Sequence, residues 1–373
     1  MMAFLRMAAR AFVVVTALLP AVTLADSSLN MRQGVTTLSR EIYDLHMLIT
    51  WVCVAIGVVV FGLMFYSIFK HRKSAGAKAA HFHENVTIEV LWTVIPFLIL
   101  VGMAIPATTT LLAIEDSGDP DITIQVTGYQ WKWKYDYLDH DIGFFSNLAT
   151  PPEQINNSQE KSEHYLLEVD NPMVVPVNKK IRFLITSNDV IHSFWSPDLG
   201  VKRDAVPGFI NASWATIDEP GIYRGQCAEL CGINHGFMPV VIDARSEADF
   251  NSWVADQKQA VVAAQQAAEE TWTMERLMQQ GAEVYGRACV ACHQVTGKGV
   301  PGAFPALDGS AIAIGPLEAH LEIVMQGKTG TAMQAFAAQL SDSDLAAVIT
   351  YERNSWSNAT GDTVQPAQVK AAR

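Results

Sequence analysis

The chain has 373 residues, half of them hydrophobic, and a formal net charge of −12, a length that suits two or three domains. Residues 1–114 carry eight Lys/Arg against five Asp/Glu, whereas residues 115–373 carry 18 against 33. So acidic a soluble part repels the phosphate backbone, which excludes nucleic-acid binding and favours a basic protein partner.

Residues 1–25 read as a secretory signal: Arg6 and Arg10 precede an apolar stretch over 11–22, and Thr23-Leu24-Ala25 offers a cleavage site. Leu45–Phe69 and Val90–Ile114 contain no Lys, Arg, Asp or Glu, and each is long enough to cross a bilayer. Pro96 and Pro106 fall in the second run, where membrane helices tolerate them. Lys70, Arg72, Lys73 and Lys78 lie between the runs, while Asp44, Glu115, Asp116 and Asp119 lie at the other ends. The excess of positive charge places this loop in the cytoplasm. Residues 26–117 therefore predict a two-helix transmembrane hairpin with its soluble part on the outer face. His71, His81 and His83 flank the loop without a ligand pattern, and Cys53 reads as a small apolar residue of the first helix.

Residues 118–245 predict a β-sandwich. Ile122–Val126, Tyr165–Val169, Lys180–Thr186, Ala212–Ile217 and Met238–Ile242 are short, rich in β-branched and aromatic residues, and separated by turn formers. The polar stretch 145–164 reads as a surface loop. Residues 246–272, rich in Ala, Gln and Glu and free of Gly and Pro, predict a linking helix. Residues 273–358 predict a small helical domain, with helices over Met274–Val284, Leu317–Met325 and Ser341–Trp356. Ser341 reads as an N-cap with Asp344 three residues on. Residues 359–373 read as a disordered tail.

The segment Gly225-Gln-Cys227-Ala-Glu-Leu-Cys231-Gly-Ile-Asn-His235-Gly-Phe-Met238 holds two thiols, an imidazole and a thioether. Its glycines and Pro239 favour a loop over a helix, and His192, in Asp189-Val-Ile-His192-Ser-Phe-Trp195, is the best further ligand. Structural zinc also takes two Cys and two His. A thioether suits copper better, but mononuclear blue copper needs only one thiolate. Two bridging sulfurs would hold two copper ions, each with one imidazole. Downstream, Cys289-Val-Ala-Cys292-His293 is the covalent haem attachment pattern, with His293 as axial ligand. Met completes the iron in many electron-transfer cytochromes. Met333, in a Gly-rich loop, is preferred to Met325, which falls in a predicted helix. His46, His140, His164 and His320 read as surface or satisfied polar residues.

Five segments together resemble subunit II of haem-copper cytochrome c oxidase over about residues 30–250: the hairpin, Glu89–Pro96, Gly128–Tyr135, His192–Asp204 and Cys227–Met238. Residues 273–358 resemble a class I cytochrome c domain, so the whole resembles the caa-type arrangement. The resemblance implies a cupredoxin-like domain with a binuclear copper centre (CuA). Its ligands would be His192, Cys227, Cys231, His235, Met238 and the carbonyl of Glu229, whose carboxylate would also reach a magnesium ion at the subunit I interface. It further implies that electrons enter through Trp131 and that Glu89 stands near the mouth of a proton channel in the partner. The function so implied is the electron-accepting subunit of an aerobic terminal oxidase in the bacterial inner membrane. It would pass electrons from a basic cytochrome c donor through haem c and CuA to subunit I, with subunit III as a further partner. Subunit I would reduce oxygen to water and pump protons. The alternative is the electron-accepting subunit of a CuA-containing nitric oxide reductase.

Overall fold

The computed structural model describes residues 30–78 and 83–373. The expected signal segment and His81 lie outside the described residues. The chain divides into two units, Met1–Asp116 with Pro197–Gly200, and Ser117–Ser196 with Val201–Arg373.

In the first unit, helix α1 (Thr37–Lys70) starts from a reciprocal cap. Thr36 Oγ1 accepts from the Ser39 amide at 2.9 Å, and Ser39 Oγ accepts from the Thr36 amide at 3.0 Å, satisfying two amides that a helix start leaves open. Thr36 Oγ1 also donates to the Leu199 carbonyl at 2.9 Å. Asn85 caps α2 (Val86–Glu115), accepting from the Ile88 amide at 3.3 Å. At ~1.5 Å rise per residue the helices are ~51 and ~45 Å long, beyond the ~30 Å hydrocarbon core. Both outrun the uncharged stretches, because these caps begin them on polar residues outside the apolar run. Trp51, Phe61, Trp92 and Phe97 are exposed, an arrangement that suits lipid and disfavours water.

In the second unit, two five-stranded sheets face each other. One runs β3 (Ile142–Ser146), β2 (Lys132–Tyr137), β1 (Ile122–Tyr129), β5 (Lys180–Ser187), β8 (Asn211–Thr216). The other runs β4 (Met173–Pro176), β10 (Pro239–Arg245), β9 (Gly221–Cys227), β6 (His192–Ser196), β7 (Val201–Ala205). β1 pairs with β5, and β4 with β10, in parallel; the other pairs are antiparallel. Alternation decides the inner faces: Trp133, Tyr135 and Tyr137 of β2, and Ile181, Phe183 and Ile185 of β5, are buried. Trp133 and Phe183 meet Phe194 of β6 at 5.5 and 5.8 Å between ring centres, joining the sheets. Tyr165–Val169, expected as a strand, is not one. Leu166 takes a left-handed φ of 61° that turns the chain, and only Val169 pairs, in an isolated bridge to Leu148.

Helix α3 (Glu247–Glu269) starts at Ser246, which accepts from the Asp249 amide at 3.2 Å. Its first turns lie on the sandwich: Trp253 meets Tyr137 at 5.1 Å and Phe250 meets His140 at 5.5 Å. The helical domain follows with α4 (Met274–Ala288), α5 (Leu317–Gln326), α6 (Asp342–Asn354) and α7 (Pro366–Ala372). Leu277, Val284 and Tyr285 of α4 form its core with Leu345, Val348 and Ile349 of α6. Ser341 caps α6, accepting from the Asp344 amide at 3.0 Å. The expectation of a disordered tail over 359–373 is corrected: Val364 and Val369 are fully buried, and Gln365 accepts from the Trp272 amide at 2.8 Å. Two apolar side chains in a polar tail are enough to seat one short helix in the core.

Candidate metal centre and haem cavity

Strand pairing gathers the candidate metal ligands at one end of the sandwich. Phe194 of β6 lies opposite Cys227, the last residue of β9, which brings His192 close to the thiol. The chain then turns through Cys231 and a short 3-10 turn at His235–Phe237 before re-entering the sheet at Pro239. The two sulfurs stand 3.8 Å apart as free thiols. His192 Nδ1 lies 3.9 Å from Cys227 Sγ; His235 Nδ1 and Met238 Sδ each lie 3.5 Å from Cys231 Sγ. The Glu229 carbonyl is 3.3 Å from Cys227 Sγ. All six expected ligand positions therefore converge. Soft metals bound at ~2.3 Å to sulfur can bridge this gap without moving the backbone. Each imidazole lies beside a different sulfur, which divides the set into two halves.

The surroundings fix the ligand orientations. His192 Nε2 lies 2.8 Å from Asp189 Oδ1, leaving Nδ1 toward the sulfurs, the usual outer support of a metal-binding imidazole. Burial alone would raise the Asp189 carboxyl. Its bonds from His192 and from the Gln130 and Val190 amides outweigh burial and hold it below the usual range. His192 is raised, the pull of burial being exceeded by Asp189 and Cys227. Gly128 supplies room: a Cβ there would stand 2.7 Å from His192 Cδ2. The hydrogen bond from Cys231, more than any other contact, pulls the Cys227 thiol down, while the same contact pushes the Cys231 thiol up.

Trp131 and Gln130 meet the ligand loop from the other sheet. Trp131 Nε1 and Gln130 Nε2 donate to the Cys231 carbonyl at 3.2 and 2.8 Å. Trp131 is half-buried, whereas Trp133, two residues on, is the core tryptophan. Glu229 is exposed beside Leu230 and Ile233, which are 78% and 79% exposed. Glu89 lies exposed in the first turn of α2.

A cavity of about 770 Å³ contains Trp131, Cys289, Cys292, His293 and Met333 in its wall, within the ~300–1,000 Å³ span of cofactor sites. His293 Nδ1 lies 2.9 Å from the Pro305 carbonyl, which leaves Nε2 for a metal. Met325 is instead buried in the helical core on α5. His320 and Glu352 form a buried pair at 2.9 Å in the cavity wall. The His320 Nδ1 has no partner among the described residues, an orphaned atom of the kind a bound group satisfies. The thiol spacing, the freed imidazole nitrogen and this atom fit a covalently held haem.

Sequence reasoning missed Asp189, Gly128, Gln130 and the cavity role of His320. Asp189 stood three residues before His192, a local signal. Gly128 and Gln130 fall inside the resembling segment Gly128–Tyr135, but only the fold shows that they reach His192 and the ligand loop.

Comparison with known proteins identifies the family. The family models for the periplasmic and transmembrane domains of cytochrome c oxidase subunit II match residues 122–245 and 25–109. The model for subunit III of cbb3-type cytochrome c oxidase matches 276–351. A probable cytochrome c oxidase subunit 2 of Rickettsia bellii is 43% identical over 58% of this chain and 80% of its own length. Subunit 2 of Arabidopsis thaliana is 37% identical over 61% of this chain and 89% of its own. The crystal structure of the periplasmic domain of subunit II of cytochrome oxidase from Bradyrhizobium japonicum is 43% identical, covering 39% of this chain and 98% of that one, with a TM-score of 0.35. With its two apolar helices and ligand-bearing sandwich, the chain belongs to the cytochrome c oxidase subunit II family, in a form that carries a C-terminal cytochrome c domain.

Proposed function

We propose that the chain accepts electrons singly from a basic cytochrome c donor and delivers them to subunit I of a terminal oxidase in the bacterial inner membrane. Subunit I, accompanied by subunit III, reduces oxygen to water and pumps protons. Bound here, haem c and a binuclear copper centre would supply the one-electron chemistry. Cys289, Cys292, His293 and Met333 would hold the haem. Met333 lies in the cavity wall and Met325 does not, which supports that choice. Cys227, Cys231, His192, His235, Met238 and the Glu229 carbonyl would hold the copper. Asp189 would hold the His192 ring in one tautomer, with Nδ1 toward the sulfurs.

The observation that carries this reading is the pair of free sulfurs 3.8 Å apart, each with its own imidazole. A structural zinc site needs four ligands around one point and has no use for Met238. The exposed Leu230 and Ile233 beside Glu229 suit burial against subunit I, where the Glu229 carboxylate would meet magnesium. Trp131 receives electrons on their way to copper, and Glu89 stands by the partner's proton channel.

Metal analysis tests the assignment. The purified subunit should hold about two copper ions and one haem that survives denaturation. Electron resonance should show one unpaired electron shared by both copper nuclei. Zinc at Cys227 and Cys231, or haem lost on denaturation, would refute it.

A further inference from the structure

The loop that bears Met333 carries hydrogen bonds from the cytochrome domain to the sandwich. Gln334 Nε2 donates to the Gln130 carbonyl. Gln130 in turn donates through its side chain to the Cys231 carbonyl at 2.8 Å. Gln339 accepts from Lys132 Nζ and lies 3.4 Å from Gln334 Oε1. Lys132 Nζ lies 5.2 Å from the ring centres of both Phe145, on the sandwich, and Phe336, on the loop. Residues 130–132 therefore face the copper ligands on one side and the loop next to Met333 on the other.

We infer that Gln334 is a positioning residue: it docks the Met333 loop on the Gln130–Trp131 face and so aligns the haem cavity with the copper ligand loop through the sequence Gln334, Gln130, Cys231. Gln339 and Lys132 form the second clasp of the same docked state. The inference rests on the electron path proposed above. In the step served, one electron leaves haem held at Cys289, Cys292 and His293, oxidising it by one unit, and enters copper held at Cys227 and Cys231, reducing it by one unit. No atom or proton is transferred.

The amide N–H of Gln334 is the group that matters, because its acceptor is a backbone carbonyl. Gln334→Glu keeps the shape and removes the donor; Gln334→Lys keeps a donor. In the full, metal-loaded chain, hydrogen exchange at 128–133 and 331–340 should rise roughly fivefold in Gln334→Ala and Gln334→Glu, the effect of one lost hydrogen bond on a docking equilibrium. It should stay near the parent in Gln334→Lys. The haem potential and the Met-ligated haem spectrum should not move in any variant. Haem-to-copper transfer after rapid reduction should slow by a similar factor in the first two. Unchanged exchange in Gln334→Glu overturns the docking role, and so does an equal rise in all three variants. If the parent chain shows no haem-to-copper transfer, the proposed electron path fails, while the exchange measurement still decides the docking.

Discussion

His192 is held from three sides. Asp189 engages Nε2, the Trp133 ring lies 5.9 Å away edge-on, and Gly128 leaves the space the imidazole fills. Such outer support commonly changes metal affinity ~10–100-fold. Asp189→Ala should weaken copper retention within that range and leave covalent haem untouched, as read by copper titration beside haem staining. Equal loss of both groups would point to general unfolding. The candidate ligand side chains were legible in the sequence because four of the five lie in one segment, Cys227–Met238, and their chemistry is rare. Their supports were not, since Gly128 reads as an ordinary strand glycine until β1 is placed beside His192. Met333 and Met325 differ in sequence only by their settings, loop and helix, and the cavity wall separates them.

At the scale of elements, the contact between α4 and α6 depends on Gly281. A Cβ there would stand 2.3 Å from the Ala347 carbonyl oxygen and 2.5 Å from Tyr351 Cβ. Alanine would gain about 1 kcal/mol of helix propensity, but prying packed helices apart costs about 1–3 kcal/mol. The clash involves backbone, which yields poorly, so destabilisation wins. Gly281→Ala should lower the thermal midpoint of the haem-bearing domain and leave the copper spectrum of the sandwich unchanged; a raised midpoint would contradict the packing. The longer helices were legible from periodicity and caps, as Ser341 shows, but only four of the ten strands among the described residues, β1, β5, β8 and β10, were read from their β-branched runs. Two departures have local causes. Leu166 turns where its β-rich neighbours predict extension, and α7 owes its order to Val364 and Val369 reaching a core built by distant helices.

For the whole molecule, the acidic excess lies almost entirely in residues 115–373. Uptake from a basic cytochrome should therefore slow as ionic strength rises. Transfer within the chain should not, since it involves no encounter between separate charges. Stopped-flow reduction across a salt series checks both; salt-independent uptake would indicate a neutral or acidic donor.

Helix α3 spans 23 residues, or ~35 Å of rigid rod, and its start is anchored by Phe250 and Trp253. Tethering of this kind sets an effective local concentration that no dilution of the surroundings can lower. On the proposed electron path, scarcity of soluble carrier would limit how often the chain is refilled and leave the transfer within the chain at constant speed.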